Sequence, residues 1–360
     1  MKRALLAISL LVCTATQAQR LDPTAPLKSY AARVLPQCPG GVLTLEQAGP
    51  GPTNFTAFVV TVRSTDQYCG GQKYLLFSPK TQQVLIGTVI PLPDNGKPTG
   101  VRVGEKAAEM LKQKLKATVA PFPLPDGLKS VAITHDTPYG AFSYYGFVDQ
   151  SEQFLIVGFR GNLANDPGKA LRETLGSANA MRRGNASSKV EILELSDFQC
   201  PTCAAAHAKI EPLIKANLSK VNYVRLDLPL FEHHEWALPA AMGARAIQHV
   251  DPSKYWQYVD YVFKNQEDIG KRPSFDAFFK EYASDHDLDW PALEKVYASK
   301  SERQALLEQV SRAFGIGIAS TPTFVVNGQI MGFGPDGSFT IDAIKGAIGT
   351  AQPAAKKSAK

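Results

Sequence analysis

Residues 190–207 read VEILELSDFQCPTCAAAH: an apolar run, a short polar turn, two cysteines two residues apart, and an alanine-rich stretch. The pattern changes at Cys200 from a buried strand over 190–195 to a helix over about 201–218. A helix starting just after Cys200 puts its sulfur near backbone N–H groups that have no intrahelical partner. Those groups and the helix dipole favour a thiolate. Pro201 suits the first helical position, where a missing N–H costs nothing. Cys203, one turn further in, is then the shielded partner that closes the ring. A stabilised thiolate also stabilises the reduced form, which makes the disulfide the stronger oxidant. The redox reading casts Cys200 as nucleophile and Cys203 as resolving partner. Two others stay open. A zinc site needs four ligands; Cys38 and Cys69 lie elsewhere, and His207, one turn past Cys203, is either a third ligand or a surface histidine. A structural disulfide across two residues would restrain the unfolded chain little.

Downstream, VNYVRLDLPL (221–230) reads as a strand, followed by a mostly helical block from about 237 to 313. STPTFVVNG (320–328) is a strand ending in an Asn-Gly turn, before a short strand at 329–332 and a last helix at about 340–348. Strand–helix–strand, helical insertion, hairpin and helix is a thioredoxin-like α/β order, assigned to residues 189–350.

The two motifs, in this order across about 186–350, resemble the Dsb proteins, and DsbA-like thiol–disulfide oxidoreductases most closely. The resemblance implies a cis Pro322 facing the active site, with Thr321 offering backbone groups to an extended substrate. The sequence alone gives only an ordinary trans turn there. The resemblance also places Glu194 as a buried acid below the cysteines, able to relay a proton to or from Cys203. The other reading has Glu191 and Glu194 marking strand edges that face water. Pro201 and Thr202, between the cysteines, join Thr321 and Pro322 as substrate-facing positions. Pro-Thr departs from the Pro-His of the best-known oxidases.

Upstream, residues 30–165 carry short β-like runs split by Gly and Pro, an α+β region. YLLFSPKTQQVLI (74–86) and YYGFVDQSEQFLI (144–156) agree at five of 13 positions at an offset of 70, which reads as two repeated hairpin units or as generic strand chemistry. Each precedes a helical pattern, at 105–117 and 168–182. The unit weakly resembles the small dimerisation domain of DsbC/DsbG-type isomerases, which implies a homodimer, or one chain building by itself an apolar cradle for clients. Cys38 and Cys69 sit at Gly-rich turns, paired in a structural disulfide or forming a second redox pair. Closing that loop would contribute roughly 3–4 kcal/mol.

The expected organisation is a signal peptide (1–18), two α+β units (19–100 and 101–167), a linker helix and linker (168–188), the thioredoxin-like domain (189–350) and a disordered tail (351–360). Lys2 and Arg3, the apolar run from Ala4 to Val12 and Thr16-Gln17-Ala18 form the signal pattern. About nine apolar residues are too few to span a bilayer, which needs about 20; Cys13 leaves a lipoprotein signal as an alternative. Export would leave four cysteines in a compartment where disulfides persist. The net charge of +6 includes Lys2, Arg3, Lys356, Lys357 and Lys360, so the body is near neutral and nothing points to nucleic acid. The functional expectation is an exported, extracytoplasmic oxidase or isomerase acting on cysteine-containing, unfolded client proteins. It has a partner that reoxidises or reduces the CxxC pair, and no cofactor or metal beyond the redox disulfide itself. The rivals are a chaperone or adaptor with an idle CxxC and a metal-binding protein.

Overall fold

The computed structural model describes residues 24–350, apart from residues 68, 334 and 335 and the side chain of Asn179. The signal peptide and the tail expected at 1–18 and 351–360 lie outside the described residues.

The first half opens with α1 (Thr24–Val34), which buries Leu27, Tyr30, Ala31 and Val34. Four strands follow, β1 (Val42–Gln47), β2 (Thr56–Arg63), β3 (Gly71–Phe77) and β4 (Gln83–Pro91), each antiparallel to the one before. After α2 (Thr99–Leu111) comes a second run of four, β5 (Lys116–Val119), β6 (Lys129–Thr137), β7 (Gly140–Val148) and β8 (Phe154–Asn162). The two runs join along β4 and β8 into one eight-stranded sheet, in the order β1-β2-β3-β4-β8-β7-β6-β5. The two similar sequence stretches are the hairpins β3–β4 and β7–β8, and the strand order reads as two helix-plus-four-strand units placed back to back. The units at 19–100 and 101–167 are therefore halves of one sheet, and their boundary falls inside α2 rather than between elements.

The helical pattern expected over 168–182 is cut short. Helix α3 (Pro167–Leu175) is capped by Asp166 and stops at Gly176, whose φ of +68° is a left-handed turn that a side chain would disfavour. Residues Met181–Gly184 then form β9, the edge strand of the second sheet, paired with the strand at 221–227. The stretch 168–188 thus contains a strand of the second domain where a linker was expected.

That domain continues with β10 (Val190–Ser196), α4 (Pro201–Lys215) and β11 (Val221–Asp227). The helical insertion comprises α5 (Ala237–Val250), α6 (Tyr255–Lys264), α7 (Gln266–Gly270), α8 (Phe275–Asp285), α9 (Trp290–Tyr297) and α10 (Lys300–Gly315). The chain closes with β12 (Thr323–Val326), β13 (Gln329–Met331) and α11 (Ser338–Thr350). The sheet order is β13-β12-β10-β11-β9, with β10 and β11 parallel and the other pairs antiparallel, a thioredoxin-like arrangement. Strand β10 is central, and both its faces are buried. Ile192 packs with Ala206, Ile210 and Ile214 of α4, while Leu193 and Leu195 pack on the opposite side with the helical insertion. Each such fully buried side chain stabilises the fold by about 1.5–3 kcal/mol. No helix among the described residues is long and apolar enough to cross a membrane.

The two sheets are tied together. Gln37 lies parallel to β13, with its N–H donating to the Ile330 carbonyl (2.8 Å) and its carbonyl accepting from the Gly332 N–H (2.8 Å). Phe142 of β7 meets Phe231 and Phe314 edge-on, with centroids 5.3 and 5.9 Å apart.

Candidate active site

Cys200 is the N-cap of α4, in extended backbone geometry (φ −71°, ψ 120°), and Pro201 opens the first turn. The Cys200 carbonyl accepts the first helical bond, from the Ala204 N–H at 3.2 Å. Its sulfur therefore lies over the free N–H groups of Thr202 and Cys203. Cys200 is 7% exposed and Cys203 fully buried, and both are thiols here. The Cys203 thiol donates to the Cys200 sulfur; with the Cys203 and Thr202 N–H groups and a contact to Thr321, this outweighs burial and lowers the Cys200 pKa to about 5. Burial, followed by the hydrogen bond to Cys200 and then its charge, pushes Cys203 the other way, well above an ordinary thiol. Within one helical turn the two sulfurs are split into a ready thiolate and a held proton.

Thr321 and Pro322 come up against this turn. The peptide bond between them is cis, and the Thr321 carbonyl lies 3.6 Å from the Cys200 sulfur. Thr202, Thr321 and Pro322 help line a 570 Å³ cleft that residues of the eight-stranded sheet also line. Cys38 and Cys69 are joined, Cα to Cα 5.7 Å, and Cys69 lines the same cleft.

Glu194 is buried, as the resemblance implied, and its direct partners are other than the cysteines. It is 1% exposed, so it does not face water. Its carboxylate accepts from the Tyr223 hydroxyl and from Arg225 (3.3 Å), and among the described residues no hydrogen bond joins it to either cysteine. The Arg225 guanidinium lies over the rings of Phe198 and Phe263, 4.5 and 5.1 Å from their centroids. Glu194 therefore supports the loop before Cys200 by way of Arg225. Besides Cys200, Cys203 meets the Asp197 N–H, at 3.5 Å. The buried Asp197 carboxylate is held by the N–H groups of Gln199 and Leu230 and by His234 Nδ1, at 2.7, 2.7 and 2.8 Å.

His207 is neither a surface residue nor a partner of the cysteines. It is buried, with Nε2 2.8 Å from Asp260 and its ring against Phe263. His207, Glu211 and Asp260 stand close enough to share an ion. Lys215 already bridges the two carboxylates, at 2.9 and 3.0 Å, and Arg183 is forked onto Glu211. The negative charge of that cluster is met by side chains.

Sequence reasoning missed Asp197 and Gln266. The Gln266 amide, on α7, donates to the carbonyls of Phe198 (2.7 Å) and Cys200 (3.1 Å). Asp197 stands inside the quoted stretch, where an acid between strand and helix looks like ordinary turn chemistry. Gln266 carries no local signal, since only folding brings it to the loop.

Residues 177–349 match the family model described as Thioredoxin. The Na(+)/H(+) antiporter NhaA 1 of Salinispora arenicola is 30% identical over 169 residues, covering 47% of this chain and 24% of that protein. The probable disulfide bond formation protein D of Bacillus cereus is 25% identical over 211 residues, 56% of this chain and 93% of that protein. Among solved structures, the thiol-disulfide exchange protein alpha-DsbA2 of Wolbachia pipientis superposes at a TM-score of 0.42 with 17% identity, covering 50% of this chain and 93% of its own. The chain spans about a quarter of the length of the antiporter relative. Residues 177–349 form a thioredoxin-fold domain.

Proposed function

We propose that this chain is an exported thiol–disulfide oxidoreductase that exchanges disulfides with cysteine-containing client proteins through Cys200 and Cys203. The observation that carries the reading is the opposed tuning of the two thiols, with Cys200 lowered to about 5 and Cys203 raised. The Cys200 thiolate attacks one sulfur of a client disulfide, forming a mixed disulfide and releasing a client thiolate. That step removes the negative charge that had helped keep the Cys203 proton in place. Cys203 gives up the proton and attacks the Cys200 sulfur, closing the Cys200–Cys203 disulfide and releasing the second client thiolate. The client gains two electrons and the protein loses two. The reverse sequence oxidises a client dithiol, and both together reshuffle a wrong disulfide. Thr321 and Pro322 hold the client backbone beside Cys200, and a separate redox protein resets the pair. The Cys38–Cys69 disulfide supports an oxidising, extracytoplasmic setting, in keeping with the signal pattern at residues 1–18.

The test is recovery of activity from a scrambled-disulfide substrate, run beside oxidation of the same substrate fully reduced, with Cys200→Ala as control. Isomerase action restores the scrambled substrate, oxidase action oxidises the reduced one, and both vanish in Cys200→Ala. Client rescue that survives Cys200→Ala would replace this reading with a chaperone whose cysteines are idle.

A further inference from the structure

The first domain does more than precede the second: its sheet forms part of the wall of the cleft beside Cys200. Val62, Ile86 and Val157 supply apolar side chains there, and Ile318, Thr321 and Pro322 line the same cleft. Where β4 meets β8, Gly87 stands opposite Gly158. A Cβ on Gly87 would come within 2.1 Å of the Val157 carbonyl oxygen, and one on Gly158 within 2.2 Å of that of Ile86. The two strands approach too closely there for side chains, and both glycines line the cleft as bare backbone, Gly87 half-buried and Gly158 buried. Thr88, next along β4, is exposed on the same wall. Lys73 on β3 is the one charged side chain lining the cleft among the described residues, and it too is exposed.

We propose that this wall is a specificity subsite for the polypeptide that flanks the client cysteine; the inference rests on the proposed exchange at Cys200. It takes an extended segment with an apolar side chain beside the cysteine and, further along, an acidic residue facing Lys73. The geometry commits the occupant. Cys200 is nearly buried and its sulfur abuts Thr321, which lines the cleft together with Thr202 and Pro322, so a chain disulfide-bonded to Cys200 has this cleft beside it. A volume of 570 Å³ falls in the range of formed ligand sites, and its mixture of apolar walls and bare backbone suits a polypeptide strand. The single lysine supplies charge complementarity to an acid and repels a base.

The test uses the full chain carrying Cys203→Ser, in which Cys200 attacks a symmetrical peptide disulfide, forms a Cys200–peptide disulfide and releases one peptide thiol. Rates are followed by mass for peptides with Leu or Gly beside the cysteine, and with Glu or Lys two residues further on. The expected result is Leu over Gly by about tenfold, from partial burial of one side chain, and Glu over Lys by a few-fold. Thr88→Trp, which fills the cleft from an exposed position, brings the Leu/Gly ratio towards one. Lys73→Glu reverses the Glu/Lys preference, and it decides the matter if Thr88→Trp fails to fold. Equal rates for all peptides, or preferences that survive both substitutions, overturn the subsite while leaving exchange at Cys200 standing. No reaction with any peptide overturns the exchange itself, and the subsite with it.

Discussion

At Cys200, hydrogen bonds prevail over burial, and at Cys203 burial and the hydrogen bond to Cys200 act in the same direction to hold the proton. The difference comes from position: one sulfur caps a helix at its rim and the other is a turn inside it. This asymmetry has a stability consequence. The folded pKa of Cys200 lies below the value of about 8.5 for an unfolded thiol, so the unfolded chain binds the extra proton between the two. The stabilisation is complete above about pH 8.5 and is lost as pH falls through about 5. In a Cys203→Ser background, where no ring closes, thermal unfolding should show this chain gaining stability over the Cys200→Ser/Cys203→Ser double variant from pH 5 to 8. A pH-independent difference would make Cys200 an ordinary thiol. The cysteines were legible because their motif carries its own backbone chemistry, whereas Thr321 and Pro322 were legible only from the resemblance, since the residues alone give an ordinary trans turn. The surroundings of Glu194 were not legible, since its partners Tyr223 and Arg225 arrive from the neighbouring strand.

Among the elements, α4 supplies the N–H groups and the helical insertion sets where they point. Phe263 of α6 packs on Phe198 with ring centroids 5.4 Å apart, and Gln266 of α7 ties down the carbonyls of Phe198 and Cys200. Without that amide the Phe198 carbonyl loses its side-chain donor and the Cys200 carbonyl keeps only the Ala204 N–H, which leaves less positive dipole around the loop that carries the thiolate. Gln266→Leu should therefore raise the Cys200 pKa by roughly one unit, about 1.4 kcal/mol, read from the pH midpoint of Cys200 alkylation. A lower melting temperature with an unmoved midpoint would reduce Gln266 to a packing role. The strand–helix–strand core was readable from its apolar runs and Pro-Gly punctuation. Strand β9 was not: Met181-Arg182-Arg183-Gly184 is polar, and only its pairing with β11 makes it a strand. The left-handed turn at Gly176, which ends α3 and frees these residues, was the overlooked signal.

Across the whole molecule, the repeated hairpins were visible in sequence, but their union along β4 and β8 was not, because strand pairing at that range leaves no local pattern. That union makes one sheet, which packs against the thioredoxin-like domain through Gln37, Phe142 and the loops around the cleft. The molecule thus brings two ingredients to one place: a reactive sulfur from the second domain and a wall from the first. The account stands on the sulfur. Its most direct test is the rate at which iodoacetamide alkylates Cys200 in the full chain as a function of pH, with the Cys200–Cys203 pair reduced and the modified residue identified by mass. The account predicts a midpoint at about 5, with Cys203 unmodified across the same range. A midpoint near 8.5, that of an unperturbed thiol, would contradict it.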